Sequence, residues 1–126
     1  GSAYLQLKRW NLAEAAYRKA LEIDPESAIA YHGLARAYMA QGNLEESVEA
    51  ALTSVGLVYF QPRTHYRLGE ALLRLGMIDR AVEAFSVAVT QAPGMRVAHQ
   101  RLAKLYEFHL DEPTLAEKHR KMASVG

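Results

Sequence analysis

The chain repeats itself at an interval of 34 residues, and this constrains its fold more than any other feature. Laid on itself at that shift, the sequence aligns Leu34, Leu68 and Leu102, and sets Tyr31 against His65 and His99. Ala35, Gly69 and Ala103 coincide, as do Tyr38, Leu72 and Tyr106, and Gly42 falls on Gly76. The second half of each unit keeps the same period through Trp10, Leu44 and Ile78, through Ala13, Ser47 and Ala81, and through Tyr17, Ala51 and Phe85. Ala20, Ser54 and Ala88 follow, then Leu21, Val55 and Val89.

Within a unit these positions are spaced as one apolar stripe of a helix, without the alternation of a strand. Each half-unit is therefore expected to be an amphipathic helix. Gly42 and Gly76 lie between the halves, where glycine can adopt positive φ and end the first helix. Pro25 and Pro93 fall at unit boundaries, where a proline cannot continue the preceding helix.

A helix, a glycine turn, a second helix and a proline in such a period resemble the tetratricopeptide repeat. The closest match is His65, Leu68-Gly69, Leu72, Gly76, Ala81, Phe85, Ala88 and Pro93. The resemblance implies an all-α, right-handed superhelical stack of antiparallel helix pairs, with first helices lining a concave face. About three and a half repeats are expected: a partial repeat at 3–25, repeats at 28–61 and 62–95, and a fourth repeat or capping pair at 96–124. Tyr4 would occupy the aromatic position of a truncated first helix. Tyr59 stands where proline is usual, and Ser47 and Ser54 where alanine is usual, so the helix before Tyr59 is expected to run on through "SVGLVYFQ" or bend at Gly56. In the fourth unit, matching Ala116 and Ala123 to Ala81 and Ala88 requires one extra residue in the turn. Pro113 then suits the first turn of the last helix, with Asp111 as its cap.

Length and composition agree with a packed domain: 126 residues, 50% hydrophobic and 23% charged, are enough for one sizeable core. No apolar run approaches the ~20 residues that span a bilayer, and no secretory signal is visible, so no membrane insertion is expected and a soluble, cytoplasmic setting is favoured. The absence of cysteine excludes disulfides and thiolate metal sites. Gly1-Ser2 reads as the remnant of a cleaved tag, so the chain is expected to be an excerpt of a larger protein.

No phosphate loop, nucleophile elbow or metalloprotease run is present, and no enzyme or cofactor is indicated. His65 and His99 repeat in a position that Tyr31 also holds, which points to half-buried packing. His109 and His119 lack ligand-like spacing, so no metal is expected. Glu45-Glu46 and Asp111-Glu112 are best read as helix-start charges.

The resemblance also implies which residues face a ligand. In tetratricopeptide arrays these are the second, fifth, sixth, ninth, twelfth and thirteenth residues of each first helix. The transfer gives Ile29, His32, Gly33, Arg36, Met39 and Ala40; Arg63, Tyr66, Arg67, Glu70, Leu73 and Arg74; and Val97, Gln100, Arg101, Lys104, Glu107 and Phe108. This set carries a net +4 in a chain whose total is +1, so the charge is sorted by face. A basic concave groove for an acidic peptide or protein segment is the reading, with Tyr66, Leu73, Met39 and Phe108 supplying apolar contact. The bland alternative is that these arginines are solvated, or paired with Glu70 and Glu107. Some family members clamp a partner's terminal carboxylate. Arg63 and Arg67 match the last basic pair of that clamp, but Gly33 replaces its middle asparagine.

Two other functional classes are distinguishable. One is an assembly or recruitment appendage of a larger enzyme, with self-association through an N-terminal edge of Tyr4, Trp10 and Tyr17, or fraying of residues 3–25. The other, weaker reading is nucleic-acid binding along the groove, disfavoured because only Tyr66 and Phe108 could stack on bases.

Overall fold

Glycines with positive φ end two of the helices where the repeat places them. In the computed structural model, which describes residues 2–125, Gly42 and Gly76 both have φ of 81°. Each donates to the carbonyl three residues back, Met39 or Leu73, while the next residue donates to Tyr38 or Leu72. Both turns thereby satisfy carbonyls that the helix end leaves open. The helices are α1 (Ser2–Ile23), α2 (Ala28–Gln41), α3 (Leu44–Leu57), α4 (Pro62–Arg74), α5 (Ile78–Gln91), α6 (Arg96–Phe108) and α7 (Pro113–Val125). No strand occurs among the described residues. Gly1, part of the dipeptide read as a tag remnant, lies outside them.

The helices form two units, Gly1–Phe60 and Gln61–Gly126. In the first, α1 packs on α2 and α2 on α3. Ser27 caps α2 by accepting from the Ala30 amide at 3.1 Å. The core holds Leu34, Ala35, Tyr38, Val48, Ala51 and Val55. The serines found where alanine is usual bring their own partners: Ser47 Oγ donates to the Ala35 carbonyl at 2.7 Å and Ser54 Oγ to the Ala28 carbonyl at 2.8 Å. A buried hydroxyl is tolerated when it is so paired.

Two expectations are corrected here. There is no truncated helix before the partial repeat, because α1 is one continuous helix from Ser2 to Ile23. The position that repeats Gly42 and Gly76 is Lys8, a good helix former that offers no left-handed turn. The second concerns α3, which passes Gly56 and stops at Leu57, where Val58 turns extended at φ −135° and ψ 106°.

In the second unit, α4 packs on α5, α5 on α6 and α6 on α7. Pro62 opens α4 and Pro113 opens α7, positions that need no amide donor. Phe85 is fully buried, and its ring lies against the bare Cα of Gly69. Ala116 and Ala123 are buried in α7, as the alignment with one inserted residue requires. Asp111 does not cap α7. It adopts φ of 50°, the left-handed role glycine plays in the other two turns, and the Glu112 carbonyl accepts the first bond of α7 from Ala116.

An added Cβ at Gly76 would meet nothing within 4 Å, so any penalty there is backbone strain alone. Gly76→Ala is expected to cost about 1–2 kcal/mol. Gly56, also with open space around it but inside a helix, should gain up to about 0.5 kcal/mol on change to alanine. Urea denaturation of the two variants checks the opposite signs.

Candidate functional site

Helical spacing brings Arg63, Tyr66, Arg67, Glu70, Leu73 and Arg74 along α4, and the neighbouring α6 carries Gln100, Arg101, Lys104 and Phe108. Glu70 joins the two rows. Its carboxylate stands 3.6 Å from the Arg67 guanidinium and 3.8 Å from that of Arg101 on α6. Tyr66 is half-buried beside them, tilted against Phe85 at a centroid distance of 5.5 Å and 6.0 Å from the Arg67 guanidinium carbon. Burial, then the Glu70 charge, push the Tyr66 phenol above its ordinary value, so it stays a neutral donor and apolar surface.

Pairing with Glu70, weighed above as the bland alternative, thus holds for Arg67 and Arg101. Glu107 instead meets Arg120 of α7. Arg63, Arg74 and Lys104 form no ion pair among the described residues, and all three are exposed. Phe108 is also exposed, at 72%. Leu73 is half-buried.

In the first unit, Arg36 is exposed and stacks over Trp10 with 5.7 Å between the guanidinium carbon and the ring centroid, while His32 and Met39 are half-buried. Of the residues assigned to an N-terminal edge, Tyr4 is exposed and Trp10 half-buried. Tyr17 turns onto α2, with its ring against Gly33. Polar bonds add to this α1–α2 seam: Arg18 donates to the Tyr38 hydroxyl and pairs with Glu14 at 2.8 Å. The Gln41 amide also donates to Glu14, at 3.0 Å. That hydrogen bond first, then Arg18, hold the Glu14 carboxyl below its ordinary value.

The sequence reading missed a buried pair. His99 and His119 approach Nδ1 to Nδ1 at 2.9 Å, and His99 Nε2 lies 2.7 Å from the Pro93 carbonyl oxygen. A carbonyl only accepts, so His99 donates through Nε2 and receives the His119 Nδ1–H at its other nitrogen. Tyr106 stacks on His119 at 5.6 Å with planes 12° apart. His65 and His99 are 4% and 3% exposed, fully buried where half-burial was expected. The signal for His119 was available, because one inserted residue aligns it with Ala84, a core position. Among the described residues no group of three or more His, Asp or Glu side chains could hold a metal ion. Likewise no helix among them is long and apolar enough to cross a membrane.

The repeated helix pairs, their glycine turns and the small residues under aromatic rings define an all-α helical-repeat protein. The chain belongs to the tetratricopeptide repeat family: the family described as "Tetratricopeptide repeat" matches residues 32–96, more than half its length, and "TPR repeat" matches residues 1–42. It is 28% identical over 103 residues to the small glutamine-rich tetratricopeptide repeat-containing protein 2 of Mycosarcoma maydis, covering 82% of this chain and 29% of that one. It is 30% identical over 84 residues to human tetratricopeptide repeat protein 28, covering 67% of this chain and 3% of that one. The chain therefore spans less than a third of either relative's length. Its fold is similar to the crystal structure of MamA, with a TM-score of 0.87 at 25% identity over 97% of this chain and 71% of that one. Family and relatives support a protein-protein interaction module.

Proposed function

We propose that this module binds an acidic segment of a protein partner on the side of α4 and α6 that carries Arg63, Arg67, Arg74, Arg101 and Lys104. The observation that carries the reading is the Glu70 bridge, which sets the two basic rows side by side with one carboxylate between them. Arg67 and Arg101 are thereby oriented, while Arg63, Arg74 and Lys104 remain available to incoming carboxylates. Arginine favours this task because its planar fork matches a carboxylate. Tyr66 and Leu73 offer half-buried apolar surface between the charges, and Phe108 an exposed ring. The module is read as non-catalytic, in keeping with its membership of a helical-repeat interaction family.

The test is capture of partners from source lysate, identified by mass spectrometry, followed by titration of the captured segment as a peptide. Changing Arg63, Arg67 and Arg101 together to Glu is expected to weaken binding at least roughly tenfold and to flatten its salt dependence, with helicity unchanged. Equal affinity in wild type and variant would overturn the reading. Self-association through the α1 surface around Tyr4 would instead appear as a concentration-dependent dimer in sedimentation, unaffected by the three substitutions.

A further inference from the structure

One helix of the first unit is acidic without compensation. α3 carries Glu45, Glu46 and Glu49 and no lysine or arginine, which makes it the most acidic helix among the described residues. Helical spacing sets the three glutamates on one face with Leu52, and all four side chains are exposed. None of the glutamates forms an ion pair among the described residues. Helices precede and follow α3 in the sequence and still leave this face open.

Beside that face, between α1 and α3, runs a cleft of about 640 Å³, and Glu46 and Glu49 line it together with Glu22 of α1. Tyr31 and Tyr38 of α2 also line it. The cation on its wall, Arg18, is already engaged by Glu14 and by the Tyr38 hydroxyl. The corresponding place in the second unit is closed. There, once the inserted residue is counted, His119 stands at the position of Ala50, stacks on Tyr106 and meets His99, the counterparts of Tyr38 and Tyr31. The small Ala50 leaves the copy in the first unit open.

Carboxylates gathered on one face and around one cleft repel each other, and a cationic occupant relieves that repulsion. The chain carries such an occupant itself. On the α4 and α6 side, Arg63, Arg74 and Lys104 form no ion pair among the described residues. Glu45 and Glu49 lie one helical turn apart, about 6 Å, and so do Arg63 and Arg67. Leu52 then has Tyr66 and Leu73 to meet, and an arginine stem entering the cleft brings its guanidinium to the ring of Tyr31 and the carboxylates around it. With a net charge of only +1, two copies approach without strong overall repulsion.

We propose that the acidic segment received by the basic side of α4 and α6 is α3 of a second copy of this chain. The inference rests on the function proposed above and names its partner. The two patches are unlike, so the contact is heterologous: the acidic face of one copy meets the basic face of another.

The test is sedimentation equilibrium of the full chain over a range of concentrations, at low and high salt. At low salt the average mass is expected to rise with concentration, and at high salt to fall back toward that of a monomer. Glu46→Lys with Glu49→Lys, and separately Arg63→Glu with Arg74→Glu, should each weaken self-association at least roughly tenfold. Mixing the two variants should restore it to within about threefold of wild type, because the new lysines of one variant face the new glutamates of the other and the unaltered patches still match. All four substituted side chains are exposed and unpaired, so folding is preserved, and restoration in the mixture itself requires two folded chains.

A wild-type chain that stays monomeric at low salt overturns the inference and leaves the proposed function intact, since that reading falls only if the arginine substitutions leave partner capture unchanged. Loss in the arginine pair alone would mean that the basic side receives another acidic surface, and overturns it. Loss in the glutamate pair and in Lys8→Glu with Arg9→Glu, with the arginine pair unaffected, would make α1 the source of the cations and overturn it likewise. Losses in both pairs with no restoration in the mixture would mean bulk charge effects, and no loss in either pair an interface elsewhere; each overturns it.

Discussion

Replacing Phe85 by alanine is expected to destabilise residues 61–126 by about 3–5 kcal/mol, a large share of the 5–15 kcal/mol that holds a typical domain folded. The ring is fully buried on α5, stacked at a tilt on Tyr66 and pressed over Gly69 of α4. Its removal leaves a cavity that the buried alanines one turn away on the same helix, Ala81 and Ala88, are too short to fill. Urea denaturation gives the magnitude, and hydrogen exchange should show protection lost first in α4 and α5. The same packing makes Gly69 intolerant. An added Cβ there would stand 2.7 Å from Phe85 Cε1, so Gly69→Ala should cost about 1–3 kcal/mol. In a Phe85→Leu background that cost should shrink, with a coupling above about 0.5 kcal/mol. Simple additivity would mean that something other than the ring restricts residue 69. Because Tyr66 leans on Phe85, the core substitution should also loosen the basic row of α4 without touching its charges.

What could be read from the sequence was the set of residues whose role is the same in every unit. Leu34, Leu68 and Leu102 pack alike, Gly42 and Gly76 turn alike, and repetition exposes both. Features that occur once escaped. The continuity of α1 rests on Lys8 replacing a turn glycine, a signal that was present but outweighed by the partial match at Tyr4. The serines of α3 were seen as departures, yet their carbonyl partners, Ala35 and Ala28, lie on another helix and only the fold brings them near. Glu70 was counted among the ligand-facing residues, but its place between Arg67 and Arg101 depends on the packing of α6 beside α4. That packing divides the basic residues into two that are held and others that remain available.

The turn between α6 and α7 extends the same lesson. Lys104 in place of Glu70 follows from the plain 34-residue period, whereas Arg120 in place of Phe85 is legible only once the inserted residue of that turn is placed. Asp111 supplies that placement, because its left-handed backbone absorbs the extra residue before α7 begins. A one-residue error in that turn would have put Arg120 opposite Ala84 or Ser86 and hidden the substitution of a core ring by a cation.

Acidification is expected to weaken the same half of the chain through His119. This side chain is 9% exposed, and burial first, then the His99 and Lys118 charges, hold its pKa below the ordinary 6.5. The sign follows from which state takes up the proton. As the pH falls through about 6.5 the unfolded chain is protonated at this site while the folded chain resists, so the unfolded state binds more protons and stability declines. The contribution is fully present above that pH and is lost progressively down to the depressed folded value. One such proton gives a slope of at most about 1.4 kcal/mol per pH unit. The charge would be carried at His119 Nε2, since its Nδ1–H is committed to His99, whose own Nε2–H is committed to the Pro93 carbonyl. His119→Asn separates this mechanism from general acid denaturation, because the asparagine amide can replace the Nδ1–H donor and does not titrate at these pH values. The variant should be less stable at pH 7.5, having lost the stack on Tyr106, but its urea midpoint should fall less between pH 7 and pH 5 than that of wild type. An unchanged acid slope in the variant would show that the sensitivity resides elsewhere and that the buried pair only packs α7 onto α6.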